Sequence, residues 1–253
     1  MRIKSTFSLF VLGGALCGLN AHDFWVNAQN NENLKVQIGY GHNFNKVEKI
    51  PEKRVALFDK PYLLKDGKKI ELENGKENYE FKAKKLESGS YIVVGEYKPT
   101  FWSKDNDDKW QMNTDKNGKN IKFCELAKMS AKGVLNVSTA DESVIKPIGQ
   151  TLEIIPLTNP ANFKIDEFFG VQVLFEGKPL ANSEVSVISE HLLNDHDNEQ
   201  KAFVGKTDKN GRINIKLFKS GDYIVSVSHT TPYSDPKICD ENIYESTFKI
   251  ELK

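Results

Sequence analysis

The residues of this chain best equipped for chemistry are its five histidines: His22, His42, His191, His196 and His229. A signal-peptidase cut after Ala21 makes His22 the first mature residue. A terminal histidine offers one ion two nitrogens, its α-amine and its imidazole Nδ1, which close a six-membered chelate ring. The amine titrates near ~8, so a metal displaces its proton easily. His42 and His229 extend the apolar alternation of their segments, Val36-x-Ile38-x-Tyr40-x-His42 and Tyr223-x-Val225-x-Val227-x-His229. Each is expected to close the core-facing row of a strand. Converging with His22, they would supply three imidazoles and an amine as a metal site. Such a set suits nickel, cobalt, copper or zinc and disfavours magnesium and calcium, and the affinity order alone favours copper over nickel. The competing reading of His42 and His229 is structural, since a histidine that closes a strand is commonly just hydrogen-bonded there.

His191 and His196 sit in a polar stretch, Glu190 to Asp197. Their separation of five fits neither one helix face nor a tight metal pair, so a solvated loop is expected. Asp195 and Asp197 would make it at most a weak second metal or capture site. No Gly-x-Ser-x-Gly elbow, His-Glu-x-x-His pair or Gly-rich phosphate loop occurs, so no catalytic residue is nominated. Thr-Asp-Lys-Asn-Gly occurs twice, at 114–118 and 207–211, and Asn-Gly predicts tight turns at both. Calcium loops are rejected there because the position that needs a glutamate holds Leu126 or Lys219; after Asp105-Asn106-Asp107-Asp108 it holds Lys116. Trp25, Phe101, Trp102 and Trp110 are aromatics in loop-like settings that could line a cleft or pack a core.

The elements that must position these residues begin with a leader. Met1 to Lys4 is basic, Phe7 to Leu16 is apolar, and Leu19-x-Ala21 is a small-residue cleavage site; residues 1–21 therefore read as a signal peptide for export to the periplasm. Cys17 offers a rival, a lipidated first residue, but Leu16 stands where such sites take Gly, Ala or Ser. The apolar run is shorter than the ~20 residues of a membrane helix, and no later segment approaches that length, so no transmembrane segment is expected in the mature chain. Lys+Arg and Asp+Glu are both 35 among 253 residues; losing Arg2 and Lys4 leaves 33 against 35, a net charge of −2. That balance argues against a nucleic acid partner. Cys124 and Cys239, 115 residues apart, are expected to form a disulfide in an oxidising compartment; a thiolate metal site lacks its close Cys-x-x-Cys spacing.

Short alternating runs between turn signals predict strands, among them 34–40, 91–94, 134–137, 171–175, 185–187, 213–217 and 223–227. Phe123 to Lys132 is the one segment that reads as a short helix. The expected fold is all-β, as two β-sandwich domains of immunoglobulin-like or prealbumin-like type, 22–148 and 149–253, with the boundary at 141–150 where Pro147 and Gly149 interrupt the pattern.

Several motifs in order carry a family resemblance: Ala21-His22-Asp23-Phe24-Trp25, Gly41-His42, Leu152-Glu153-Ile154-x-Pro156, Gly177-Lys178-Pro179-Leu180, Thr207-Asp208-x-x-Gly211, and Ser228-His229 followed by Cys239-Asp240. Across essentially the whole mature chain the sequence resembles the periplasmic family labelled nickel uptake substrate-specific transmembrane region. The resemblance implies a non-catalytic protein that binds nickel or cobalt, with copper or zinc as ions the ligands also accept, and that assists import beside a membrane metal transporter. It nominates His22, His42 and His229 as ligands. The label's transmembrane region has no counterpart after the leader, which speaks against a channel role. Two other readings compete: a copper histidine-brace oxidase, and a metal-independent carbohydrate-binding or adhesive module.

Overall fold

The alternating runs become strands, and the fold is all-β. The computed structural model describes residues 23–41, 43–192 and 200–253. Strand β1 (Asp23–Asn30) turns into β2 (Leu34–Gly41). The one-turn helix α1 (Glu52–Val55) precedes β3 (Tyr62–Lys65), β4 (Lys68–Ile70), β5 (Glu73–Asn74) and β6 (Glu80–Ala83). Next come the long β7 (Gly89–Asp105), the short β8 (Trp110–Met112) and the long β9 (Ile121–Val137). A 3-10 turn at Glu142–Ile145 leads to β10 (Leu152–Pro156), β11 (Phe168–Phe175) and β12 (Lys178–Pro179). Then follow β13 (Glu184–Ser189), β14 (Phe203–Lys206), β15 (Arg212–Lys216), β16 (Gly221–Pro232) and β17 (Glu241–Leu252).

Three sheets result. A central nine-stranded sheet runs β14-β13-β16-β17-β9-β7-β3-β4, with β8 beside β7. A four-stranded sheet of β1, β2, β6 and β5 covers it on one side, and a second of β10, β11, β12 and β15 covers it on the other. Because side chains alternate across a strand, the two covers draw on opposite faces of the central sheet. Val93, Tyr97 and Ala131 pack with Phe24, Val36 and Ile38 on one face. Val185, Val225 and Phe248 pack with Val171 and Val173 on the other. Each half of the chain thus has its own sandwich-like core, and the two cores share a sheet.

The joint between halves is the parallel pairing of β17 with β9, from Glu241↔Glu125 to Lys249↔Gly133. The expected disulfide joins Cys124 to Cys239 at the same place, closing a separation of 115 residues. In the chain-entropy picture a loop of that length contributes about 4–5 kcal/mol. The link expected at 141–150 holds the 3-10 turn and Gly149, after which β10 opens the second four-stranded sheet.

One local expectation is overturned. Phe123 to Lys132 is the first part of β9 and contains no helix. Ala, Leu, Glu, Lys and Met favour helix in isolation, but β9 is hydrogen-bonded to β7 on one side and β17 on the other and buries residues on both faces. Tertiary pairing overrides propensity here, and two-sided burial erases the alternation that signals a strand. Both Thr-Asp-Lys-Asn-Gly segments form turns, with Gly118 N–H bonded to Asp115 O and Gly211 N–H to Asp208 O at 3.0 Å each.

Candidate metal site

The start of β1 is set by close packing. Phe24 pairs with Tyr40 and Val26 with Ile38, and their side chains share the face turned to the first core. Trp25 points the other way and is fully buried against Phe44, Ile188 and Ile224. The four aromatics expected in loop-like settings all lie in strands, Trp25 in β1, Phe101 and Trp102 in β7 and Trp110 in β8, with Trp25 buried and Trp102 packed against the first core. Two glycines make room. A Cβ at Gly39 would lie 1.9 Å from the Trp25 ring, and one at Gly95 would lie 2.8 Å from Val26 and 2.9 Å from Phe24. The Thr247 hydroxyl donates to the Phe24 carbonyl, fastening β1 to β17. The last described rung of this hairpin is Asp23↔Gly41. His22 and His42, the residues that follow it in sequence, lie outside the described residues.

Asp23 and Phe24 line a cleft of about 200 Å³ whose floor includes Ser186, Ser226, Ser228 and Glu245. Burial pushes the Glu245 carboxyl up to about 7. Glu125, four residues before Met129 of the same cleft, is pushed up to about 8 by burial and then by the charges of Glu245 and Glu241. It is 2% exposed, and its Oε1 has no hydrogen-bond partner among the described residues. Burial and mutual repulsion thus disfavour the charged forms of these acids.

Aromatic rings and one guanidinium border this acidic region. Arg54 Nη1 donates to Tyr40 Oη at 3.3 Å, and its guanidinium carbon stands 5.6 Å from the Tyr40 ring centroid and 5.5 Å from that of Trp102. Trp102 Nε1 donates to Tyr97 Oη at 3.1 Å. Burial pushes Tyr40 up to about 12, opposed by Arg54 and assisted by Tyr97 and Glu245. Both phenols stay protonated at neutral pH, so they act here as hydrogen-bonding and packing groups.

His229 is brought elsewhere. It shares the face of Tyr223, Val225 and Val227, and that face looks onto the second core: its ring centroid lies 4.5 Å from that of Phe175, beside Tyr244, its partner in β17. Ser228, one residue earlier, lines the cleft beside Asp23 on the opposite face. Burial lowers the His229 pKa, holding the ring neutral. His191 Nε2 is 2.8 Å from the Ser220 carbonyl oxygen, a loop contact, whereas Asp195, His196 and Asp197 lie outside the described residues. Among the described residues no group of three or more His, Cys, Asp and Glu is close enough to hold a metal. Any metal site at the start of β1 therefore depends on His22 and His42. Sequence reasoning missed Glu125 and Glu245, although both occupy core-parity positions in Glu125-x-Ala127-x-Met129-x-Ala131 and Glu241-x-Ile243-x-Glu245-x-Thr247. The helical reading of 123–132 hid the first row.

The family described as Domain of unknown function (DUF4198) matches residues 19–231. No curated protein matches. Among solved structures, the chain is similar to the D0-D1 domain of intimin at 12% identity, over 91% of this chain and 97% of that one, with a TM-score of 0.23. It is similar to the BSP domain of a biofilm associated protein at 10% identity, over 92% and 51%, with a TM-score of 0.20. To BcpA, the major pilin subunit of Bacillus cereus, it is similar at 13% identity, over 92% and 66%, with a TM-score of 0.22. Overlaps this loose carry no argument about the site. No helix among the described residues is long and apolar enough to cross a membrane.

Proposed function

We propose, for a chain that belongs to the family described as Domain of unknown function (DUF4198), the role of an exported periplasmic protein that binds nickel or cobalt through His22 and His42 and delivers it to a membrane transporter. The observation that carries the reading is the Asp23↔Gly41 rung, since the residues next to it in sequence, His22 and His42, are both histidines. With the leader removed after Ala21, the amine and imidazole of His22 and the imidazole of His42 give three nitrogen donors. Three donors leave coordination positions open, which suits a carrier that must also release its ion. A cation bound beside the adjoining cleft would draw the raised proton off Glu245, so the cleft favours cations over anions. The Cys124–Cys239 disulfide supports an oxidising compartment. His229, which faces the other core, is left out of this ligand set.

The test is calorimetric titration of protein processed after Ala21, with nickel and cobalt beside copper and zinc. One strong nickel or cobalt site per chain is expected. One extra residue before His22, or His42→Ala, should weaken it on the order of 100-fold. Undiminished affinity in both variants would sink the proposal, and oxidation of a reductant by the copper-loaded protein would favour the histidine-brace reading instead.

A further inference from the structure

Four large apolar side chains are exposed among the described residues, and three of them, Ile165 (38%), Phe168 (71%) and Phe218 (69%), stand together. Phe168 opens β11 and is in register with Lys216, the last residue of β15. Asp166 N–H donates to Leu217 O at 2.9 Å, which draws the loop before β11 against the loop after β15. Alternation explains why the rings face outward. Phe169 and Leu217 are buried in the second core, so their neighbours Phe168 and Phe218 must point away from it. The rings are thus presented by a rigid sandwich end.

The charges at this tip are arranged around the rings. Lys216 Nζ lies 5.5 Å from the centroids of both Phe168 and Phe218, and it pairs with Asp166 at 2.8 Å. Lys164 pairs with Glu167 at 3.6 Å, and Lys219 follows Phe218 on the exposed side. Among the described residues three lysines meet two carboxylates, each already ion-paired to one of them, so their excess charge at the tip is positive.

We propose that this tip docks the protein on an anionic lipid surface, with Phe168, Phe218 and Ile165 entering the headgroup region and Lys216 and Lys219 meeting its phosphates. Area decides between a bilayer and a protein. Three side chains cannot cover the roughly 800 Å² per partner of a stable protein interface, whereas interfacial binding needs only a few apolar groups inserted to a shallow depth beside basic ones. The Lys216 ammonium, 5.5 Å from both ring centroids, is placed to meet phosphates beside the inserted rings. The tip lies just before the start of β16 and the cleft borders Ser228, seven residues along that strand, roughly 20 Å away. The inference does not depend on metal binding.

Co-sedimentation with vesicles tests it. The protein should pellet with vesicles of phosphatidylglycerol and phosphatidylcholine, and at least tenfold less with phosphatidylcholine alone. The double variant Phe168→Ser with Phe218→Ser, both at exposed positions, should lose the binding while keeping the circular dichroism spectrum of the parent. In Phe168→Trp, emission should shift to the blue on adding the anionic vesicles. Failure of the parent to pellet with anionic vesicles, an unshifted Phe168→Trp spectrum, or a parent that dimerises through the tip in sedimentation velocity would each overturn the proposal.

Discussion

Lys132 and Glu125 lie seven residues apart on β9, on opposite faces, and each is 2% exposed. Their charges are handled in opposite ways. Lys132 Nζ is 2.6 Å from Glu153 Oε1, and the same carboxylate accepts the Ile148 and Gly149 amides at 2.8 and 3.1 Å. Burial pulls the Lys132 ammonium below its ordinary range, and Glu153 opposes that pull. The pair fixes the link between the two halves, because the amides belong to that link. Glu125 instead has Glu241 beside it in register and Glu245 further along β17. A buried ion held by a full set of partners is structural; a buried acid among other acids stabilises nothing. The contrast separates charge that builds the fold from charge that sets the potential of a site.

The largest effect should come from breaking the satisfied pair. Glu153→Gln strips the counter-charge from a buried ammonium and weakens two amide contacts. A loss of about 3–5 kcal/mol is expected, a drop of roughly 10 °C in melting temperature for a chain of this size. Replacing both partners, Lys132→Met with Glu153→Gln, should recover part of it. A single variant that melts with the parent would show the pair to be idle.

The acids on the other face give a smaller effect that depends on pH. Glu125 is raised to about 8 and Glu245 to about 7, and Glu96, which lies on the Lys132 face, is also raised to about 7. Raised acids hold their protons in the folded state after the unfolded chain has released them, so stability falls as pH rises from about 4.5 through these values. The protein should melt several degrees higher at pH 6 than at pH 8. Glu125→Gln should flatten that slope and stabilise the protein at pH 8 by about 1–2 kcal/mol. Equal slopes in parent and variant would remove Glu125 from the account.

What the sequence made legible follows the same division. Strands with one buried face, such as β2 and β11, announced themselves by alternation, and the cysteines announced their bond. β9 did not, because a strand with neighbours on both edges and packing on both faces loses its period. The shared central sheet was equally hidden: nothing local tells Glu241 to Lys249 that their partner is Glu125 to Gly133, since parallel pairing between distant segments leaves no turn in the sequence. His229 shows the limit of parity as an argument. Its alternation identifies a core-facing row, but two cores lie on opposite faces of one sheet, and which of them a row serves is a tertiary fact.

That distinction yields the smallest expected effect. His229→Ala removes a half-buried, neutral ring from Phe175 and Tyr244 at the rim of the second core. A partly exposed site that can rehydrate should cost about 1 kcal/mol, near 3 °C in melting temperature. Nickel affinity should stay within about twofold of the parent, because Asp23 and the start of β1 border the other face of the strand. The informative measurement is the pair of titrations, His229→Ala against His42→Ala, in protein processed after Ala21. If both variants lose affinity equally, His229 acts on the ion despite facing the second core, and the separation of the two cores fails where it matters most. If only His42→Ala loses it, the core that the His229 row serves decides its role even though its sequence pattern matches that of His42.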